Sequence, residues 1–229
     1  MSSHATIFVA ALVAVTSTVQ DVSAQSTDVP TVAVMDFTGL MLGEEGNSVN
    51  LGKAVAAMLV TEFSGRDGMQ VVERRELNDL LTEQRLALSG RVEESSAVEI
   101  GKLLGAQYVF HGSVVSIANS VRIDIRAVDV ETSEVISVLK KVDKTSELMS
   151  VIVWIADRFS EELDLTAPSD RPAMEPIPIR ATIEFSRAVD YEDKGDIEQA
   201  IEHYEAALEE HPAHRDAQRA LDRLRGGGQ

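Results

Sequence analysis

Residues 96–127 read SAVEIGKLLGAQYVFHGSVVSIANSVRIDIRA, and a helical pattern gives way to two strand patterns within them. Ser96-Ala97-Val98-Glu99 has the spacing of a capping box, in which serine and glutamate satisfy each other's orphan backbone donors, so a helix is expected to begin there. Gly105 would close it, because glycine takes the left-handed cap conformation without a Cβ penalty. Residues 106–117 then form a run rich in aromatic and β-branched side chains, suited to a strand. Next, Val121, Ile123, Ile125 and Ala127 alternate with Arg122, Asp124 and Arg126, which predicts a strand with one buried and one wet face. Only residues 118–120 join the two strands, and residues 131–134 turn the chain into a third apolar run at 135–142. Three consecutive antiparallel strands are expected.

Upstream, residues 31–37 (TVAVMDF) suit a short buried strand, and residues 39–50 read as a Gly-containing polar loop. Leu51, Val55, Met58, Leu59 and Phe63 recur at helical spacing, with Gly65 and Gly68 ending that helix and residues 69–72 forming the next strand. Leu77, Leu80, Leu81 and Leu88 mark a second amphipathic helix. Downstream, a helix starting at Thr145 or Ser146 buries Leu148, Val151, Ile152, Ile155, Phe159 and Leu163. The sum over residues 31–165 is an α/β domain, a mixed sheet with helices packed on it. Four of the six prolines (Pro168, Pro172, Pro176, Pro178) fall close together, where they block helix and central strand alike. Residues 166–180 are therefore expected to be a linker, and residues 181–225 a small all-α helical hairpin.

With 229 residues and 44% apolar content, the chain can fill one core of ordinary size and carry a smaller appendage. A formal charge of −17 argues against nucleic acid as a partner, since backbone neutralisation needs a basic face. The absence of cysteine removes disulfides, thiolate metal sites and a lipidated N-terminal cysteine, so the chain is not expected to be a lipoprotein. Residues 7–19 form an uncharged apolar run followed by Val22-Ser23-Ala24, the small-residue pattern that signal peptidase reads. Residues 1–24 are thus expected to be a signal peptide, although the first residues hold only His4 and no Lys or Arg.

No constellation for catalysis, cofactor or metal emerges. GNSVNLGK at residues 46–53 fails as a phosphate-binding loop, with five residues between its glycines and Ala54 where a hydroxyl should follow lysine. His203, His211 and His214 have no established metal spacing and are expected on a solvated surface. His111 lies within a strand and is expected as a core or sheet-edge histidine. Asp36 ends the first strand, where α/β sheets place ligand contacts; the competing reading is a cap or turn residue.

Val71-Val72-Glu73-Arg74, Leu77, Leu80-Leu81, Glu83-Gln84 and Leu88-Ser89-Gly90, followed by Ile100-Gly101-Lys102-Leu103-Leu104-Gly105-Ala106 and Gly112-Ser113-Val114, resemble the CsgG family, and the related FlgO domain shares much of the pattern. Both are bacterial envelope proteins, associated with curli secretion and flagellar function. The resemblance spans about residues 32–165 and gives Glu73, Arg74, Gly101, Gly105 and Gly112 a scaffold role, with Glu73-Arg74 fixing a turn by charge pairing. CsgG itself contributes spanning hairpins to a pore, and a spanning strand needs about 9 to 11 alternating residues. Residues 118–120 leave no room for one, so no integral membrane pore is expected. Ser133 stands where this family commonly carries glycine.

In the tail, Ala188, Tyr191, Gly195, Ala200, Tyr204, Ala207 and Pro212 fall at the spacings of a tetratricopeptide repeat, with Glu184 and Arg187 replacing the early tryptophan and leucine. A lone repeat cannot bury its own apolar face, so this one must pack on its own domain, another subunit or a partner. Tyr191, Gly195, Ala200, Tyr204, Ala207 and Pro212 are the expected protein-interaction residues. The chain therefore reads as a non-enzymatic, periplasmic or outer-membrane-associated assembly or adaptor protein that binds envelope proteins. The rival readings are a small-molecule or nucleotide sensor, with Asp36 and residues 39–50 forming its pocket, and a ring-forming homo-oligomer.

Overall fold

The computed structural model describes residues 29–42, 50–83, 94–166, 168 and 175–226. The expected signal peptide, Leu88, residues 43–49 of the expected loop and most of the proline-rich segment lie outside them. The described chain is mixed α/β: a six-stranded sheet and seven α-helices. Strands β1 (Thr31–Val34), β2 (Thr38–Leu42), β3 (Gln70–Val71), β4 (Tyr108–Ile117), β5 (Ser120–Asp129) and β6 (Val135–Lys144) run in the order β3-β1-β4-β5-β6, with β2 also pairing β4. β1 is parallel to β3 and β4, and β4, β5 and β6 form an antiparallel meander.

One strand escaped the sequence pattern. Residues 38–42 are not loop but β2, parallel to Ser113–Ile117 of β4. β1 and β2 thus lie end to end along the same long strand, interrupted at residues 35–37, so the expected single strand over 31–37 stops at Val34. Gly39 misled the reading because its reason is remote: a Cβ there would come within 2.1 Å of Asn50 Oδ1.

Helix α1 (Leu51–Ser64) is capped by the Asn50 side chain, which accepts from Gly52 N. It lays Leu51, Val55, Met58, Leu59 and Phe63, all fully buried, on one sheet face. A 3₁₀ turn (Thr145–Glu147) leads into α4 (Leu148–Glu162), which covers the same face. Phe63, Phe110 and Phe159 meet there with centroids 4.4–5.8 Å apart, the tilted and edge contacts that aromatic quadrupoles favour. Of the apolar residues expected from the α4 pattern, Leu163 alone is half-buried, past the helix end.

Helices α2 (Arg74–Glu83) and α3 (Glu94–Leu104) cover the opposite face at the β1 side, over Ala33, Met35, Val72 and Val109. α3 begins two residues before the expected capping box, which places Ser96 and Glu99 inside the helix. It ends at Gly105, φ +64°, with Ala106 N donating to Gly101 O at 2.9 Å. At Gly101 a Cβ would lie 2.5 Å from Val130 and 2.6 Å from Val109, so any larger residue would push α3 off the sheet. The β5–β6 turn puts Ser133 at φ +62°, with Asp129 Oδ1 accepting from Thr132 N at 2.8 Å.

The tail is α5 (Ile179–Asp193), α6 (Ile197–Glu210) and α7 (Arg215–Gly226). α5 starts inside the expected linker, with Pro178 at its N-cap. It packs along α1, and Ala181, Ile183, Phe185, Ala188 and Val189 join the core that α1 and α4 form with the sheet. Ser186 Oγ donates to Asn50 O at 2.7 Å. Of the three places the tail could pack, the structure chooses its own α/β domain.

Candidate protein-interaction surface

The polar joint between domain and tail gathers residues far apart in sequence. Asp36 leaves the end of β1 and accepts from Arg74 Nη1 at 2.7 Å, while Arg74 Nη2 donates to Asp193 Oδ2 at 2.7 Å. Lys53 reaches the same Asp193 at 2.7 Å, Asp190 at 3.0 Å and Asp36 at 3.7 Å, and Asn78 Nδ2 donates to Asp193 Oδ1 at 2.7 Å. Burial alone would weaken the Lys53 cation, but Asp193, Asp36 and Asp190 outweigh it and raise its pKa. Arg74 is held in its charged form by the same balance between burial and the carboxylates of Asp36 and Asp193. This corrects two sequence expectations, the Glu73–Arg74 pair and the readings of Asp36. Glu73 is exposed and supplies only a backbone carbonyl to the start of α2, so Arg74 pairs across the fold rather than with its neighbour. Asp36 caps no helix; its carboxylate is tied to Arg74 and Lys53. Lys53 spends its charge on the tail.

The tail residues singled out by spacing divide by depth. Ala200, Tyr204 and Ala207 are 0%, 1% and 0% exposed, and form the seam of the α5–α6 hairpin. The Tyr204 hydroxyl donates to Glu192 Oε2 at 2.8 Å, and burial, then Glu192, push its pKa up. Tyr191 is half-buried and stacks on His203 at 5.1 Å, with His203 Nδ1 2.6 Å from Glu184. Gly195 forms the hairpin turn at φ +77°, and Pro212 is exposed in the α6–α7 link. A further correction concerns His214, expected on the surface: it is fully buried against Phe185, 4.8 Å between centroids. Its Nδ1 accepts from Ala217 N at the start of α7, and burial, then His211, lower its pKa to about 4. Nearby in sequence, Asp216 is 7% exposed and burial raises it to about 6 against the pull of a Thr61 hydrogen bond. His111 is buried in β4 opposite Arg126, and Gly112 lies where a Cβ would strike Asp124 O.

What remains open is the outer half of the sheet. The register aligns Leu40, Val115, Arg122 and Val142 in one row, Thr38, Ser113, Asp124 and Lys140 in the next, and His111, Arg126 and Val138 in a third. Among the described residues, α3 reaches only the third row, through Glu94 at Arg126, and Leu40, Ile117, Val138 and Val142 are 48%, 55%, 53% and 62% exposed. Ile136, on the same side of β6, is 40% exposed. Cations frame the apolar rows: Arg122, Arg126, Lys140 and Lys144. Asp124 is held by Arg122 at 2.7 Å, chiefly through that hydrogen bond, which keeps its carboxyl below the usual range against partial burial. Arg126 pairs with Glu94 of α3. The sequence carried a trace of this face: residues 135–144 (VISVLKKVDK) place apolar side chains at both parities, unlike β5.

The model of the family described as curli production assembly/transport component CsgG matches residues 13–122, which begins upstream of the expected span of residues 32–165 and ends well before its close. No curated protein matches the chain. Among solved structures, the LpoB C-terminal domain from Salmonella enterica is 21% identical, with 52% of this chain and 86% of that chain covered at a TM-score of 0.41. Lipoprotein GNA1162 from Neisseria meningitidis is 12% identical, with 58% and 98% covered at 0.41. The PelC dodecamer from Paraburkholderia phytofirmans is 12% identical, with 61% and 90% covered at 0.36. Residues 13–122, which supply most of the sheet from β1 to the start of β5, are thus the part of this chain similar to the CsgG family.

Proposed function

We propose that the protein is a non-enzymatic cell-envelope assembly or adaptor component that works by protein–protein contact, exported to the periplasm or held at the outer membrane. The CsgG match over residues 13–122 supports the envelope setting. The observation that carries the contact reading is the open sheet face, where Leu40, Ile117, Val138 and Val142 are each about half exposed in adjoining rows. Scattered apolar residues on a surface need no explanation, but a contiguous apolar patch rimmed by charge marks an interaction site. The tetratricopeptide-like hairpin contributes as a rigid second surface: Ala200, Tyr204 and Ala207 set its seam, which leaves the outer side of α6 for contact.

Removing the tail after Leu165 would strip α1 of Phe185, Ile183 and Ala188 and bare a core face, so surface variants test the idea more cleanly. In-cell crosslinking and affinity capture would compare the full chain with Val138→Asp/Val142→Asp. Both sites are exposed, so the variant should keep its circular dichroism spectrum and lose specific envelope proteins from the captured set. An unchanged set, with the variant folded, would overturn the reading.

A further inference from the structure

β6 is the outer strand of the sheet: the order β3-β1-β4-β5-β6 ends there, and among the described residues nothing pairs with its far side. Which of its backbone groups point outward follows from the ladder. Thr145 N donates to Asn119 O, and Val130 N to Gln107 O. Stepping by two along the registers, the odd-numbered residues of β6 exchange hydrogen bonds with β5 and the even-numbered ones face away. Val138, Lys140 and Val142 therefore present three N–H and three C=O groups in a row, without hydrogen-bond partners among the described residues. The row closes at Lys144, whose N–H donates to Asp143 Oδ1 at 2.9 Å, and at Ile136, where the register shifts opposite Ala127 and Val128. Between those ends the edge is not blunted by proline or a bulge. Its charges, Lys140, Lys141 and Lys144 against Asp143 alone, oppose pairing with a second β6 and favour an acidic strand.

The outward-facing residues are also those whose side chains lie on the open face, with Val138 and Val142 53% and 62% exposed. Arg122 and Arg126 are already paired, with Asp124 and Glu94, so the available charge is on β6 itself. Lys140 is 4.0 Å from Asp124, whose two oxygens Arg122 holds, and exposed Lys144 has no ion pair among the described residues. On the α4 side of the strand, Lys141 Nζ lies over the Trp154 ring at 5.2 Å, which puts a shelf beneath the edge. We infer that β6 is a strand-addition site, which takes from a partner protein an extended segment with acidic side chains opposite Lys140 and Lys144 and apolar ones opposite Val138 and Val142. The inference rests on the reading of the open face as a contact surface. Main-chain hydrogen bonds supply the affinity and alternate side chains the selection, through cross-strand neighbours about 5 Å apart. Antiparallel pairing is the more stable arrangement per residue.

The probe is the peptide acetyl-TETVTETVT-amide, which in antiparallel register sets glutamate opposite Lys144 and Lys140 and valine opposite Val142 and Val138. Titrated into the full chain up to about 1 mM, it should bind and shift the fluorescence of Trp154, the single tryptophan of the chain. Two altered peptides should each bind at least about tenfold more weakly: one with lysine for both glutamates, and one N-methylated at both valines, which keeps its side chains and loses two donors. In the chain, Val142→Pro removes an outward donor and leaves the ladder to β5 intact, so it should weaken binding about tenfold. Val142→Ile keeps that donor and should bind as the native chain does, and circular dichroism shows that both variants remain folded. A native chain that leaves the peptide unbound, or binding indifferent to N-methylation and to Val142→Pro, would overturn the inference. If that happens while Val138→Asp/Val142→Asp still loses its envelope partners, the open face remains a contact surface and its partner is not an added strand; if those partners are retained as well, both readings fail.

Discussion

Replacing Arg74 with methionine keeps an unbranched apolar stem and removes the guanidinium that, together with Lys53, bridges the end of β1 to the tail. In the native chain Arg74 is 15% exposed and Asp193 12% exposed, joined at 2.7 Å, with Asp36 on the other prong of the guanidinium. The variant leaves Asp36, Asp190 and Asp193 sharing Lys53, with Lys194 helping only Asp190. Breaking a buried pair by removing one partner costs about 3–5 kcal/mol. The remaining exposure and the surviving Lys53 contact reduce this to about 2–3 kcal/mol, or a fall in Tm of about 4–12 °C for a chain of this size. Urea unfolding followed by circular dichroism reads it. Arg74→Met/Asp193→Asn removes the stranded carboxylate as well, so the two changes should be less costly together than their sum by about 1–2 kcal/mol. Arg74→Lys should fall between, because one ammonium cannot hold Asp36 and Asp193 in the fork that a guanidinium offers. A stability within about 0.5 kcal/mol of native for Arg74→Met, or strict additivity in the pair, would refute the argument that this cluster locks the tail to the domain.

Two further outcomes follow from the same packing. Phe185→Ala should cost about 3–5 kcal/mol, and because α5 shares its core with α1, Trp154 fluorescence from α4 and helical circular dichroism should shift together; a Trp154 transition left in place would mean the tail folds apart. Asp216 and His214 should oppose each other with pH. The favoured neutral form of Asp216 makes its contribution full below 3.8 and lost as pH rises through about 6, whereas that of His214 is full above 6.5 and lost as pH falls through about 4. Asp216→Asn should thus gain about 1–3 kcal/mol over the native chain near pH 7 and little near pH 4, as read from urea midpoints across that range; parallel curves for the two proteins would count against a buried, neutral-preferring Asp216.

The sequence by itself determined the elements whose cause is local. The alternation of Val121, Ile123, Ile125 and Ala127 specified β5 and its buried face, Gly105 marked the end of α3, and the helical spacing from Leu51 to Phe63 gave α1. Each rests on periods and backbone preferences that neighbours in sequence express. The tertiary structure decided whatever depended on distant partners. Gly39 sits in a strand because Asn50 crowds it, and β2 exists because β4 is long enough to pair with two segments in succession. Asp36 and Arg74 are fixed by Asp193, which comes more than a hundred residues later, and a carboxylate among 38 acidic residues carries no local mark of its partner. His214 looks like any polar residue of a charged tail until Phe185 closes over it. The open face is the clearest case: its composition was readable strand by strand, but exposure is a property of what fails to cover it, and among the described residues it is the placement of α2 and α3 on one half of the sheet that leaves Leu40, Ile117, Val138 and Val142 exposed on the other.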